Sequence, residues 1–377
     1  MAPPEIRYRI ELMPVRSGYD GHTCWVHGRA GAIPGDPPTV VLTMQRLLLS
    51  GSDVFYALHE MRTEDLGATW SAPLAHEETL GRREETDGVV ACICDFTPAW
   101  HARTGVLLGT GQVARYVGDR LMPDPRPRET AYSVYDPDAR RWTPWRSLEM
   151  PGGRDGPFFS AGAGSTQRVD LPDGEILLPI YFHGAAERYS SVAVARCSFD
   201  GETLQYVEHG SAHTVPIGRG MHEPSLAQHG GRYYLTIRND ERGYVASSDD
   251  GLRFSEPRPW TWDDGSDLGN HNTQQHWVTH PDGLFLVYTR RGAANDHVFR
   301  HRAPLFIARV DPERLCVLRE TERVLIPERG ARLGNFGVVA VTPGETWVTA
   351  CEWMQPAGCE RYGSDNTLWI ARLLWEG

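Results

Sequence analysis

The sequence predicts an all-β fold, a β-propeller-like ring of repeated strand groups, and three observations carry that prediction. Gly (39) and Pro (27) are spread along all 377 residues together with 12 Trp, and no long segment holds a helical apolar period. Candidate innermost strands begin near His22, Ala91, Ala163, His222, Asn272 and Leu333, at a spacing of roughly 50 to 70 residues, each followed by two or three more strands. Finally, the turn Thr63-Glu64-Asp65-Leu66-Gly67-Ala68-Thr69-Trp70 has a distant counterpart in Ser247-Ser248-Asp249-Asp250-Gly251-Leu252-Arg253-Phe254. In both, hydroxyl and carboxylate side chains are expected to bond turn amides, the glycine takes positive φ, and the aromatic packs beneath the turn.

Taken in order, Ile6-Arg7-Tyr8-Arg9-Ile10-Glu11-Leu12 alternates and is expected to pair with Thr367-Leu368-Trp369-Ile370-Ala371-Arg372, so that both termini close the ring and remove an exposed edge. Gly174-Glu175-Ile176-Leu177-Leu178-Pro179-Ile180-Tyr181 and Gly283-Leu284-Phe285-Leu286-Val287-Tyr288 read as second strands of their groups. Met122-Pro123-Asp124-Pro125-Arg126-Pro127 reads as a long loop. The expectation is a single domain, residues 1–377, with six blades; the irregular intervals 75–90 and 256–270 leave room for strands of a seventh.

The formal charge is 38 minus 49, or −11, with no lysine- or arginine-rich block, which argues against nucleic acid as a partner. Met1-Ala2-Pro3-Pro4-Glu5-Ile6-Arg7 lacks a basic start followed by an apolar core, and no run is long enough to cross a bilayer. The expected location is therefore cytoplasmic, with no membrane partner. The seven cysteines are an odd set without framework spacing and fit reduced thiols; Cys92 and Cys94, on one face of a strand, read as small buried residues.

In such a ring the innermost strands line a central funnel, so polar residues on them converge on one mouth. The candidates are His27 and Arg29; Gln45; Asp95, Trp100 and His101; Gln167; Arg219 and Glu223; and Asn272, Gln275 and Trp277. Arg238, Arg290, Arg300 and Arg302 add guanidinium groups, which bind carboxylates bidentately and keep their charge. An acidic chain that gathers arginines around a funnel points to a small anionic carbohydrate, most simply a sugar acid. Asn295 to Leu305 reads as a donor-rich loop over the mouth. No phosphate-cradling glycine motif is present and no nucleotide cofactor is expected.

The paired turns are Asp boxes, which typify β-propellers of the sialidase type; Tyr8-Arg9-Ile10 also resembles the early arginine segment of sialidases, with Glu11 where they have proline. Cys24-Trp25-Val26-His27-Gly28-Arg29-Ala30-Gly31, Asp95-Phe96-Thr97-Pro98-Ala99-Trp100-His101, Glu223-Pro224-Ser225 and Asn272-Thr273-Gln274-Gln275-His276-Trp277 look like sialidase-like bacterial propellers. Among these they resemble polysaccharide lyases that cleave ulvan or rhamnosyl-glucuronate linkages. That resemblance implies β-elimination at a uronate, with bound calcium or zinc in many members; no ligand set here has diagnostic metal spacing, so the cofactor and metal residues stay unassigned.

Elimination requires a neutralised carboxylate and a base of matched pKa. The leading expectation is therefore a lyase with His27 or His101 as base, Tyr181 as acid, and Arg29, Gln45 and Arg219 around the carboxylate. Gln167, Asn272 and Gln275 would orient hydroxyls, Trp100 or Trp277 would stack on a ring, and Glu223, Arg238, Arg300 and Arg302 would complete the mouth. The competing readings are a sialidase-like glycoside hydrolase, using acids such as Asp95, Glu223 and Asp296, and a non-enzymatic sugar- or protein-binding propeller.

Overall fold

A computed structural model describes residues 6–51 and 53–376; the N-terminal stretch Met1–Glu5 lies outside the described residues. Among the described residues, six antiparallel sheets follow one another along the chain. Their innermost strands are Thr23–Ile33, Val89–His101, Ser160–Gly162, His222–His229, His276–His280 and Phe336–Thr342. The fifth and sixth start three or four residues later than the sequence pattern suggested, because Asn272 to Gln275 and Leu333 to Asn335 form irregular backbone at the funnel mouth. The inner strands of the first and second, first and sixth, fourth and fifth, and fifth and sixth sheets touch, and the third sheet packs against the second through its inner strand and against the fourth through Ile176–His183, so the sheets form the closed ring of a β-propeller.

Closure follows the expected pairing. Arg7–Arg16 is the outermost strand of the sixth sheet and runs antiparallel to Leu368–Glu376, with Glu11 opposite Arg372 and Met13 opposite Ile370. The irregular interval 75–90 adds only two-residue strands to existing sheets, Leu74–Ala75 to the first and Arg83–Glu84 to the second. Interval 256–270 contributes Arg258–Pro259 to the fourth in the same way.

The near-continuous apolar runs of the second strands have a simple cause: each strand serves two cores. In Ile176–His183 the side chains of Ile176, Leu178, Ile180 and Phe182 pack toward the second sheet, with Leu108 and Val134. Leu177 and Tyr181 point the other way, against Leu226 and Leu235 of the fourth. Leu284 and Leu286 are likewise separated from Phe285 and Val287. Period-two alternation thus divides one strand between two interfaces.

The two repeated turns end third strands, at Thr63 and Ser248. Gly67 N–H donates to Thr63 Oγ1 and Thr69 N–H to Asp65 Oδ1 (both 2.9 Å), while Gly251 N–H donates to Ser248 Oγ (2.9 Å) and Arg253 N–H to Asp250 Oδ1 (2.7 Å). Both glycines have positive φ, 87° and 77°. These turns lie far out on their sheets and organise local backbone, as their chemistry predicts.

A second regularity concerns the mouth. His27, Asp95, Ser165, Glu223 and Asn272 all have positive φ, between 41° and 58°, although none is glycine. Each belongs to a different one of the first five sheets or the segment leading into it, and in the first, second and fourth the strand register breaks there. The bulge turns one polar side chain toward the mouth and restarts the alternation below it.

Candidate functional site

Residues from all six sheets and their connections enclose a cavity of about 260 Å³ at the mouth. Its wall is built from the bulges. His27 and Asp95 come from the first two inner strands, Glu223 from the fourth, and Tyr181 from the second strand of the third sheet. Arg300 and Arg302 arrive on the loop before the third strand of the fifth sheet, as expected for a segment over the mouth. Asn295 holds that loop by donating its amide to the carbonyls of Arg290 (2.9 Å) and Ala303 (2.6 Å).

Asp95 is the anchor of the floor. Its carboxylate accepts from Ser165 Oγ and Gln112 Nε2 (both 2.7 Å), and His27 Nε2 lies at 3.1 Å with Arg29 at 3.6 Å. Burial pushes this carboxyl up, but His27, Arg29 and the two hydrogen bonds outweigh it and hold it well below the usual carboxylate range. Gln112 in turn accepts from the Tyr181 hydroxyl, so tyrosine, amide and carboxylate form one chain. Burial raises the Tyr181 pKa, and Glu223 and Asp95 add to the rise, so the phenol is neutral.

The positive wall is larger than the sequence disclosed. Arg238 pairs with Glu223 and donates to Asn272 Oδ1 (2.7 Å); Arg219, at the exposed rim, is neutralised by Asp240 (2.7 Å). Arg302 spends its donors on the Asn272 carbonyl and on Asn335 Oδ1 (3.2 Å). Arg332 lies over Trp353 (4.3 Å to the ring centroid), Arg128 over Tyr181 (4.7 Å) and Arg300 over Phe299 (4.9 Å). Among the described residues, Arg128, Arg300, Arg302 and Arg332 form no ion pair with a carboxylate. Buried guanidinium nitrogens of Arg128, Arg238 and Arg332 also lack a hydrogen-bond partner. Burial lowers the Arg332 pKa to about 10, which still leaves it a cation at neutral pH.

His222 completes the site. Its ring meets Tyr181 edge-on at 5.2 Å, and Nε2 donates to the Arg219 carbonyl at 3.2 Å, which assigns the free lone pair to Nδ1. Burial, then Arg219, Arg238 and Arg128, push its pKa well below the ordinary histidine value, so the ring is neutral.

Several sequence candidates fall elsewhere. His101 is at the far end of its strand, fully buried, with both ring nitrogens taken by Thr104 Oγ1 (2.7 Å) and the Gly174 carbonyl (3.0 Å). Arg29 is also fully buried, one layer below the mouth, where it donates to Ser165 Oγ (2.8 Å), Gln274 Oε1 (2.9 Å) and the Phe336 carbonyl (3.3 Å). It plugs the channel, and Gly337 permits this: a Cβ there would meet Arg29 Cγ at 2.9 Å. Gln45 is buried behind His27, donating to the carbonyls of Tyr56 (2.9 Å) and Ile93 (2.7 Å). Gln275 is buried between Thr236 and the Thr273 carbonyl, and Trp277 beneath it is 1% exposed.

Trp100 and Gln167 line a separate cavity at the opposite end of the funnel, where Gln167 also bonds the backbone of Trp277. Asp296 is exposed and pairs with His301 (3.3 Å), and Arg290 is neutralised by Glu322 (2.7 Å). Arg9 sits on the outermost strand of its sheet, paired with Glu11 (3.2 Å), and does not line the mouth. His27 does line the mouth but is 1% exposed and committed to Asp95.

The residues that sequence reasoning missed are Asp53, Arg128, Arg332 and the individual role of His222. Asp53 sits in a hairpin, and Arg128 and Arg332 in connections where each forms only an isolated bridge, with Ser160 and Trp353, so no periodicity marks a direction. Among the described residues no cluster of three or more metal-ligating side chains is present, and no helix is long and apolar enough to cross a membrane.

One buried group beneath the site gives a pH prediction. His276 accepts from Gln274 Nε2 and bonds Ser225 Oγ (both 2.7 Å), and burial with Arg29 nearby lowers its pKa to about 3. The unfolded chain, with a histidine near 6.5, binds a proton first as pH falls, so the native state loses stability from that value downward. Urea unfolding between pH 6.5 and 4.5 should show His276→Gln losing less stability than the parent, by about 1.4 kcal/mol per pH unit. Parallel slopes would contradict the neutral, buried assignment.

The fold and mouth together define a β-propeller with a cationic, carboxylate-bearing funnel. No family model matches the chain, and no curated protein matches it by sequence. The solved structures are informative. Trypanosoma rangeli sialidase superposes with a TM-score of 0.65 at 14% identity, over 98% of this chain and 59% of that enzyme. The Hadza microbial sialidase Hz136 gives 0.61 at 13% identity over 96% and 68%, and a protein of unknown function from Dyadobacter fermentans DSM 18053 gives 0.62 at 14% over 99% and 100%. The chain therefore has the sialidase-type propeller fold, and spans about three fifths of the trypanosomal enzyme's length.

Proposed function

We propose that the mouth binds a carboxylate-bearing sugar and that the chain is a glycoside hydrolase acting on it. The observation that supports this most strongly is the set Arg128, Arg300, Arg302 and Arg332, four guanidinium groups facing one cavity without carboxylate partners. Buried cations are normally paired; Arg128 and Arg332 also keep a guanidinium nitrogen without a partner, and such donors suit a bidentate anionic ligand. The fold neighbours support the reaction class: Trypanosoma rangeli sialidase has been solved with sialic acid bound.

In this reading the arginines hold the sugar carboxylate and Asp53, on the exposed hairpin at the rim, protonates the leaving oxygen. Glu223, paired with Arg238, stabilises the charge developing at the anomeric carbon as water enters. Tyr181 donates to Gln112 rather than to Glu223, so these two residues do not form a tyrosine–glutamate nucleophile pair at the mouth.

A second reading, β-elimination at a uronate, is favoured by one observation: the neutral His222, with Nδ1 free, stands against the neutral phenol of Tyr181 with arginines behind both. His222 would take the α-proton and Tyr181 would protonate the leaving oxygen; the commitments of His27 and His101 to other partners make them unsuitable bases.

The two readings separate on one experiment. Glycosides of N-acetylneuraminate and glucuronate are incubated with the protein and followed by mass spectrometry and ultraviolet absorbance. Products that gain the mass of water without new absorbance support hydrolysis; fragments without added water and with rising absorbance replace it by elimination. Absence of both turnover and binding across the panel would overturn the sugar-acid reading itself.

A further inference from the structure

Beside the mouth, a second cavity of about 560 Å³ shares Asp53, Leu121, Arg300 and Arg332 with it, so the two spaces adjoin. The chemistry changes across that boundary. The mouth is walled by charged groups, whereas the annex beyond Arg332 is lined by Leu49, Leu121, Phe299, Pro356 and Ala357. Phe299 leaves 42% of its surface open and holds its ring near both Arg300 (4.9 Å) and Arg332 (5.1 Å), so it stands on the annex side of the boundary that these two arginines share with the mouth. Phe299, Leu49, Leu121, Pro356 and Ala357 thus give this open recess an apolar wall beside a charged mouth, the kind of surface that an apolar ligand group covers.

We propose that the annex is the subsite for an apolar aglycone, and that the preferred substrate is an aryl or alkyl glycoside of a sugar acid rather than an oligosaccharide. This rests on the sugar-acid reading of the mouth and adds the identity of the group across the scissile bond. Three features support it. The rim carboxylate Asp53 belongs to both cavities, where a bond spanning them would lie. The annex is the roomier of the two, so it accommodates a group at least as bulky as the sugar. Its polar groups concentrate on the mouth side: Gln355 Oε1 is already taken by Arg332 and Trp353 (both 3.3 Å), which leaves a second sugar's hydroxyls few partners deeper in.

The test uses uncleavable thioglycosides, so binding is read without turnover. Calorimetry compares phenyl and methyl thioglycosides of N-acetylneuraminate and of glucuronate, with the free acids as controls. The phenyl compound of the accepted acid should bind at least about tenfold more tightly than the methyl compound, on the order expected for burying one aromatic ring. Ala357→Trp, which fills the annex from an exposed position, should bring the phenyl-to-methyl ratio close to one; Leu49→Gln, which makes the annex polar, should reduce it. Equal affinities for phenyl and methyl compounds, with the free acid still bound, would overturn the aglycone assignment and leave the mouth reading standing. A tighter fit for a disaccharide carrying a second hexose would also overturn it, and failure of every acid to bind would remove both. A preference that survives both substitutions, with folding verified by circular dichroism, would place the aglycone elsewhere.

Discussion

Replacing Asp95 by asparagine is expected to lower the unfolding free energy by about 3–5 kcal/mol, the range for breaking a buried ion pair by removing one partner. Asp95 is the carboxylate against which Arg29 and His27 are buried, at 3.6 and 3.1 Å. Without it Arg29, fully buried, keeps three neutral acceptors, and one of its nitrogens already lacks a partner. The pH dependence has a definite sign. The folded pKa of Asp95 lies below its unfolded value, so its contribution is complete above about pH 4 and is lost as pH falls further. Chemical unfolding of parent and Asp95→Asn at pH 7 and at pH 3 checks both statements: the gap should be wide at the first and narrower at the second. A loss under about 1 kcal/mol at pH 7 would show that Arg29 does not depend on this carboxylate.

The largest expected effect on activity lies at Arg302. Substitution by methionine keeps most of the stem volume but removes a buried guanidinium that reaches only neutral oxygens, so its folded-state role is small beside that of Arg29. If it receives the substrate carboxylate, Arg302→Met lowers kcat/KM on a sugar-acid glycoside by about 10²–10³-fold, comparable to deleting one preorganised electrostatic donor. The melting temperature should move less than in Asp95→Asn. Steady-state kinetics with a thermal scan on the same preparation decides the matter. Full activity would remove Arg302 from the site, whereas equal loss of stability and activity would make it a structural residue.

How far the sequence reached depended on the kind of signal. The all-β class, the terminal pairing and the paired turns were readable because alternation and turn chemistry act within a few residues; Glu11 opposite Arg372 and the bonds of Asp65 and Asp250 are those expected. Arg219, Glu223, Arg238, Arg300 and Arg302 were placed at the mouth because an arginine or glutamate on an apolar inner strand, or in a donor-rich loop closing one, is costly to bury unless it faces a polar space.

Depth within the funnel was not readable. Arg29, Gln45 and Gln275 lie in buried layers behind or below the mouth, and Trp100, His101 and Gln167 at its far end, because a bulge resets the alternation and nothing in the residue order says where. Asp53, Arg128 and Arg332 come from connections whose direction only the closed ring determines.

The positive-φ positions at His27, Asp95, Ser165, Glu223 and Asn272 carry one more implication. Non-glycine residues adopt this backbone conformation at some cost, which surrounding hydrogen bonds must sustain. Here they sustain it in five consecutive sheets, and the five occupants are chemically unlike: an imidazole, two different carboxylic acids, an alcohol and an amide. The backbone therefore behaves as a set of interchangeable sockets. A substitution among short polar side chains at one socket can alter what the ring does to a ligand while the scaffold keeps its geometry, which gives this architecture a way to diverge in reaction without first diverging in shape.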